Sequence, residues 1–323
     1  MQFNLSLQPK PLEEKIEWLH PIFLMGSCFT ESMSAFLSSS KFSTISNPNG
    51  TIYNPISMFK ALNRYAAKTY IEESELVELN GLWSHWDYHT SFSHPVRSHA
   101  LQAMNSSIEN AHDYLIKAEW LILTLGTGYV YQTSEHGIVA NCHKCPQHLF
   151  NKRLLTPQEV MNDFEQCYHA LKKLNPRLKF ILTVSPVRHK RDGLIENNRS
   201  KAVLFLSIDQ LTALKDVVYF PAYELVVDDL RDYRFYAEDL VHPNDLAKHY
   251  VWEKFKVAAI DEKTREAMKQ VDRLTAAMSH RPLHPETQDH LRFLSVYFQI
   301  TKQLSQEFPF IDFSKELRYF SGN

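Results

Sequence analysis

The chain has 323 residues, 44% hydrophobic and 22% charged, which supplies a sizeable core and excludes a largely disordered protein. Thirty-five basic against 37 acidic side chains leave a formal net charge of -2, so no electrostatic footprint of a nucleic-acid or anionic-membrane partner is present. Four cysteines, at 28, 142, 145 and 167, are too few for a disulfide scaffold and are expected to be reduced. The opening stretch MQFNLSLQPKPLEEKIEW lacks a basic region followed by an apolar one, and no run long enough to span a membrane occurs. A cytoplasmic location is the expectation, unless a leader was removed.

In chain order, IFLM (22–25) reads as a buried strand that ends at Gly26-Ser27-Cys28. A helical pattern follows over 28–39, with Phe29, Met33, Phe36 and Leu37 on one side, and another over 56–68. Residues 81–95, GLWSHWDYHTSFSHP, gather aromatics and histidines in a loop. A second apolar strand is WLILTLG (120–126), ending in Gly126-Thr127-Gly128. Over 156–176 Thr156 caps a helix, Pro157 takes its first position, Glu159 completes a capping box and Pro176 stops it. KFILTVSP (179–186) and VVYFPAY (217–223) are the third and fourth strands.

From Asp245 on the chain is charged and helical, with Asn244 or Asp245 as the first cap. The expected organisation is an α/β domain over 1–250 and an α-helical extension over 251–323, available for packing on the sheet or for homo-oligomerisation. Strands that are apolar on both faces and alternate with helices predict a parallel sheet covered on both sides. Active sites of such sheets form at the carboxyl ends of the strands, where Ser27, Gly126-Thr127-Gly128 and Ser185 all fall.

A serine hydroxyl needs a base to take its proton, and the base needs a carboxylate to hold its ring. In AEDLVHPND (237–245), Asp239 and His242 are three residues apart, so one turn brings carboxylate and imidazole together. A surface-loop histidine is the plain alternative for His242.

The blocks Gly26-Ser27-Cys28-Phe29, NPNGTIYNPIS (47–57), LTLGTGYVYQ (123–132), TVSPVRHKRDGLIENNRSKAVL (183–204) and RDYRFYAEDLVHP (231–243) resemble the GSCFA family over roughly 20–250. Thr30 stands where the family's name has alanine. That family in turn resembles the SGNH, or GDSL-like, hydrolases. The resemblance implies a three-layer α/β/α, flavodoxin-like fold and hydrolysis of acyl esters on carbohydrates or lipids by a Ser-His-Asp triad. Ser27 would be the nucleophile, His242 the base and Asp239 its partner. Oxyanion donors would be the backbone N–H of Cys28 and of Gly50. The third block departs from the Gly-x-Asn pattern: Gly128 occupies the Asn position, leaving Thr127 or Asn54 as replacements.

Cys28 is the stronger intrinsic nucleophile, but the residue after a nucleophilic serine lends its amide while its side chain turns inward, so Ser27 is expected to react. CHKC (142–145) with His143 and His148 is half of a zinc site without its second half, so no metal and no cofactor are expected. Trp83 and His89 in the aromatic loop are candidate carbohydrate contacts, with anchoring of the loop to the core as the alternative for Trp83. Arg188, in the basic loop RHKRDG (188–193), is a candidate contact for an anionic or hydroxyl-rich substrate, with a solvated charge cluster as the alternative. The leading expectation is a serine esterase acting on a small, acetyl-like ester of a sugar. Its rivals are an impaired binding or scaffold protein on the same fold, and an O-acyltransferase.

Overall fold

A computed structural model describes residues 5–322. Its strands are β1 (Ile22–Gly26), β2 (Thr44–Ser46), β3 (Val77–Leu79), β4 (Leu82–Ser84), β5 (Trp120–Leu125), β6 (Tyr129–Thr133), β7 (Gly137–Val139), β8 (Asn151–Leu154), β9 (Lys179–Val184) and β10 (Val217–Tyr219). Five form one parallel sheet in the order β10-β9-β5-β1-β2, while β3-β4 and β7-β6-β8 are small antiparallel sheets. Taken in chain order, the parallel strands follow the flavodoxin-like pattern, in which the order reverses beside the first strand. The reversal lies between β1 and β5.

Why these strands are apolar on both sides follows from the period of two. Phe23 and Met25 of β1 face one core with Leu121, Leu123 and Leu125 of β5. Ile22 and Leu24 face the other with Trp120 and Ile122. Each fully buried side chain of this size contributes about 1.5–3 kcal/mol of transfer free energy.

The helices are α1 (Cys28–Ser39), α2 (Pro55–Ala67), α3 (Arg97–Leu115), α4 (Pro157–Leu174), α5 (Leu194–Leu211), a single turn α6 (Ala222–Glu224) continued as a π-helix over Leu225–Leu230, then α7 (Asp245–Ala259), α8 (Glu262–Ser279), α9 (Gln288–Glu307) and α10 (Ser314–Phe320). Helices α2 to α5 cover one face of the sheet. Helices α1, α7, α8, α9 and α10 pack over the other, where Phe36 stacks on Trp252 at 5.5 Å. Thr156, Pro157 and Glu159 build the expected capping box of α4, and Asn244 caps α7. The expected boundary at residue 250 falls inside α7, and the helices after it share a hydrophobic core with β1. No helix among the described residues is long and apolar enough to cross a membrane.

Candidate active site

The backbone after β1 is built around Gly26. Its φ is +146°, and a Cβ there would stand 2.3 Å from the carbonyl oxygen of Thr124 on β5, so only glycine fits. The next residue, Ser27, ends the strand and begins α1 as its N-cap, with Oγ accepting from Phe29 N–H at 3.4 Å. Its own N–H donates to Thr124 O at 3.2 Å. Ser27 thus sits at the reversal of strand order, held by both strands that flank it.

Its side chain points into the molecule. Ser27 is 1% exposed, and Oγ donates to Ser185 Oγ, just past the end of β9, at 2.9 Å. Cys28 is only partly buried and lines a cavity of about 460 Å³ at the carboxyl edge of the sheet. This reverses the expectation that Cys28 would be the buried neighbour. The physical reason is the cap: a serine bonded to the first turn of its own helix is drawn under that turn, and the next side chain is left outside. Burial and the nearby Glu31 carboxylate raise the Cys28 thiol above its ordinary pKa, so it is no ready thiolate.

The same cavity is lined by His242. His242 Nδ1 bonds Asp239 Oδ2 at 2.6 Å, while Asp239 Oδ1 accepts from the N–H of Val241 at 2.9 Å and of His242 at 3.0 Å. One carboxylate therefore shapes the turn and fixes the ring. Its hydrogen bonds from the imidazole and then from the backbone hold the Asp239 pKa far below the usual carboxylate range. Both side chains are about half exposed, at 47% and 49%. Arg188 N–H donates to Val241 O at 3.2 Å, and its guanidinium lies over the rings of Tyr236 at 4.5 Å and Tyr233 at 5.1 Å, which ties this turn to the loop after β9. Among the hydrogen bonds of the described residues, Ser27 Oγ is paired with Ser185 rather than with His242.

Of the expected oxyanion donors, the Cys28 amide opens α1 and has no acceptor within the helix. The other three are committed elsewhere. Gly50 N–H closes a turn on Asn47 O at 2.8 Å, and Thr127 N–H donates to Tyr53 O at 2.9 Å. The Thr127 hydroxyl pairs with Ser200 Oγ at 2.9 Å. Asn54 caps α2 through Oδ1 and donates from Nδ2 to Ser57 Oγ at 3.0 Å and Val139 O at 3.3 Å. Gly128, in the position of the missing Asn, donates to Ser200 Oγ at 2.7 Å, and a Cβ there would already come 3.1 Å from Ser200 O. A side chain there would press on α5, whose Ser200 carbonyl would have to give by a few tenths of an ångström.

Among the candidate substrate contacts, His89 and Arg188 line the cavity, and Trp83 does not. Trp83 packs against the core of the α2–α5 face with Arg97 over its ring at 4.6 Å, so it anchors its loop, and the expectation of a sugar contact there is corrected. The cavity walls also include Tyr53, Tyr129, Tyr131 and His189, which the sequence did not single out. Burial and the positive charge of Lys201 lower His189 to about 4, so the ring is neutral near pH 7. Cys142 reaches the cavity rim, while Cys145 N–H bonds Cys142 O at 2.9 Å. No three metal-binding side chains cluster among the described residues. A cleft of about 520 Å³ lies near Trp120, Lys179 and Val217, at the amino ends of their strands, away from the reversal of strand order.

A parallel five-stranded sheet, a capped serine at the reversal of strand order and a His-Asp pair over the same cavity define a flavodoxin-like α/β/α protein with a candidate nucleophile-and-base site. The GSCFA family matches over residues 21–255, and the family described as GSCFA domain protein, C-terminal domain, over 271–322. The chain belongs to the GSCFA family. It is similar in structure to a carbohydrate esterase family 3 from Talaromyces cellulolyticus, at 12% identity and a TM-score of 0.38, covering 78% of this chain and 99% of that one. It is also similar to an acetyl esterase, a serine mutant with acetate ion, at 13% identity and a TM-score of 0.38, covering 78% of this chain and 100% of that one. No curated protein matches.

Proposed function

We propose that this protein is a serine hydrolase that cleaves a small acyl ester, of acetyl size, carried on a carbohydrate. The observation that carries the reading is the His242–Asp239 hydrogen bond of 2.6 Å on the rim of the cavity reached by the start of α1. With Nδ1 bonded to the carboxylate, Nε2 is left as the acceptor for a serine proton. Ser27 Oγ leaves Ser185, attacks the acyl carbon, and its proton passes to His242 Nε2. Negative charge gathers on the carbonyl oxygen, where the Cys28 N–H and the positive end of α1 receive it. Collapse breaks the bond to the sugar oxygen, which takes the proton from His242, and a water molecule activated by His242 then releases the acid. With the Asn donor of the SGNH pattern absent, the oxyanion is less well held, at a cost on the order of 10²–10³ in rate. The tyrosine-lined walls suit the flat faces of a sugar ring.

Cys28 supports a second reading, because its side chain and not that of Ser27 lines the cavity. Its raised pKa favours Ser27, since burial and the Glu31 carboxylate keep Cys28 a neutral thiol, while among the described residues neither side chain is hydrogen-bonded to His242. Hydrolysis of p-nitrophenyl acetate separates the two. The expected result is activity lost in Ser27→Ala and kept in Cys28→Ala; the reverse pattern assigns Cys28, and full activity in both refutes a nucleophile at this position. An acyltransferase would share the acyl-enzyme half of the reaction, and products formed with and without a sugar acceptor distinguish it.

A further inference from the structure

Lys201 occupies a core position of α5, on the same stripe as Asn197, Leu204, Ile208 and Leu211, and is 1% exposed. Its Nζ donates to Gly126 O at 2.6 Å and to Ser185 O at 2.7 Å. These carbonyls belong to the first residues past β5 and β9, which are neighbours in the sheet. The titratable groups that face it are Cys28 from α1, His189 from the loop after β9 and Tyr223 from α6, whose ring is 5.8 Å away; no carboxylate acts on it. An unpaired ammonium in a core is strongly unfavourable, and a leucine would fill the position without that penalty. The two strand ends it joins are also those that hold Ser27, through Thr124 O and Ser185 Oγ.

We propose that Lys201 and Ser185 are positioning residues for Ser27: the ammonium ties the ends of β5 and β9 together, and the Ser185 hydroxyl, fixed by that tie, aims Ser27 Oγ. The inference rests on Ser27 being the nucleophile. In the resting state the Ser27 hydroxyl donates to Ser185 Oγ, which also accepts from Val187 N–H at 3.3 Å. When the Ser27 proton leaves for His242, the Ser185 hydroxyl turns its own proton toward the new negative charge on Ser27 Oγ, and no proton is lost or gained by the pair. The positive charge of Lys201, unscreened by water, favours that anionic form. Burial lowers the Lys201 amine to about 7, so this charge fades as pH rises past neutrality.

The test is p-nitrophenyl acetate turnover from pH 5 to 10 in the wild type, Lys201→Met, Lys201→Arg and Ser185→Ala, with melting temperatures alongside. Wild-type kcat should decline above about pH 7. Lys201→Met should lower kcat by at least about tenfold with KM little changed and abolish the alkaline decline, because displaced reacting groups lose rate before they lose binding. Lys201→Arg, charged throughout, should restore activity on the alkaline side. Ser185→Ala should lower kcat about tenfold, more than any loss of folded fraction read from its melting temperature accounts for. Wild-type kcat and an intact alkaline decline in Lys201→Met overturn the inference; should that variant fail to fold, wild-type kcat in Ser185→Ala does so. Turnover that does not depend on Ser27 in the wild type overturns the nucleophile reading instead.

Discussion

The floor and the rim of the cavity are built on opposite terms with solvent. On the floor, in the buried layer beneath the residues that line the cavity, Ser27, Ser185 and Lys201 are each at most 1% exposed and are joined through strand ends by bonds of 2.6 to 2.9 Å. On the rim, His242 and Asp239 are about half exposed and depend on one another and on a single turn. The proposed nucleophile is placed by the core of the fold, and the proposed base by a local loop. Floor residues should therefore couple activity to stability, while rim residues should affect activity alone.

The largest expected effect falls on the rim. His242→Ala should lower kcat by about 10³-fold or more with little change in melting temperature, because the proposed base is lost and its half-exposed ring belongs to neither hydrophobic core. Asp239→Asn should follow at about 10²- to 10⁴-fold, read as kcat with KM nearly constant, since the amide no longer holds the productive tautomer. A fall in melting temperature as large as that of a core variant, in either case, would break the comparison.

On the floor, Gly26→Ala should destabilise by at least about 3 kcal/mol in urea unfolding, because the new Cβ meets Thr124 O at 2.3 Å in a positive-φ conformation. Activity should fall with the folded fraction.

A third region sharpens the contrast through pH. His85 is fully buried beside Asp87, which pairs with His136 at 3.1 Å and Lys60 at 2.9 Å. Burial lowers His85 to about 4, and hydrogen bonding from His136 with the Lys60 charge outweighs burial to lower Asp87 to about 2. An unfolded histidine binds its proton at higher pH than this one. Stability from His85 is therefore present above about pH 6.5 and is lost as pH falls toward 4, on the order of 3 kcal/mol. The Asp87 contribution is lost lower still, between its unfolded value and about 2. Urea midpoints from pH 7 to 4 should fall in the wild type and fall less in His85→Gln.

The smallest effects separate the two aromatic-loop candidates. His89→Ala should raise KM a few-fold at constant stability, and Trp83→Ala should lower stability by about 3 kcal/mol or less at constant KM.

Much of the fold was legible in the sequence because both faces of the parallel sheet are covered. β1, β5, β9 and β10 read as continuous apolar runs, and Thr156-Pro157 and Asn244 announced their helices. β2 and the β7-β6-β8 sheet did not stand out, being three to five residues long and mostly half-buried. Within the site, the spacing of Asp239 and His242 carried their contact, since both partners lie in one turn. Which of Ser27 and Cys28 turns inward depends on the cap of α1 against Ser185, 158 positions away, and no local pattern encodes it. Gly50, Thr127 and Asn54 were matched by type, but their donors are committed to contacts that only the folded loops create. Lys201 did leave a trace, a charged residue on the apolar stripe of α5.

The most direct test of the account is peptide mapping by mass spectrometry after brief treatment of the folded protein with a fluorophosphonate. One adduct, on Ser27, is expected in the wild type, and it should be suppressed in His242→Ala. An adduct on Cys28, or none on either residue, would contradict it.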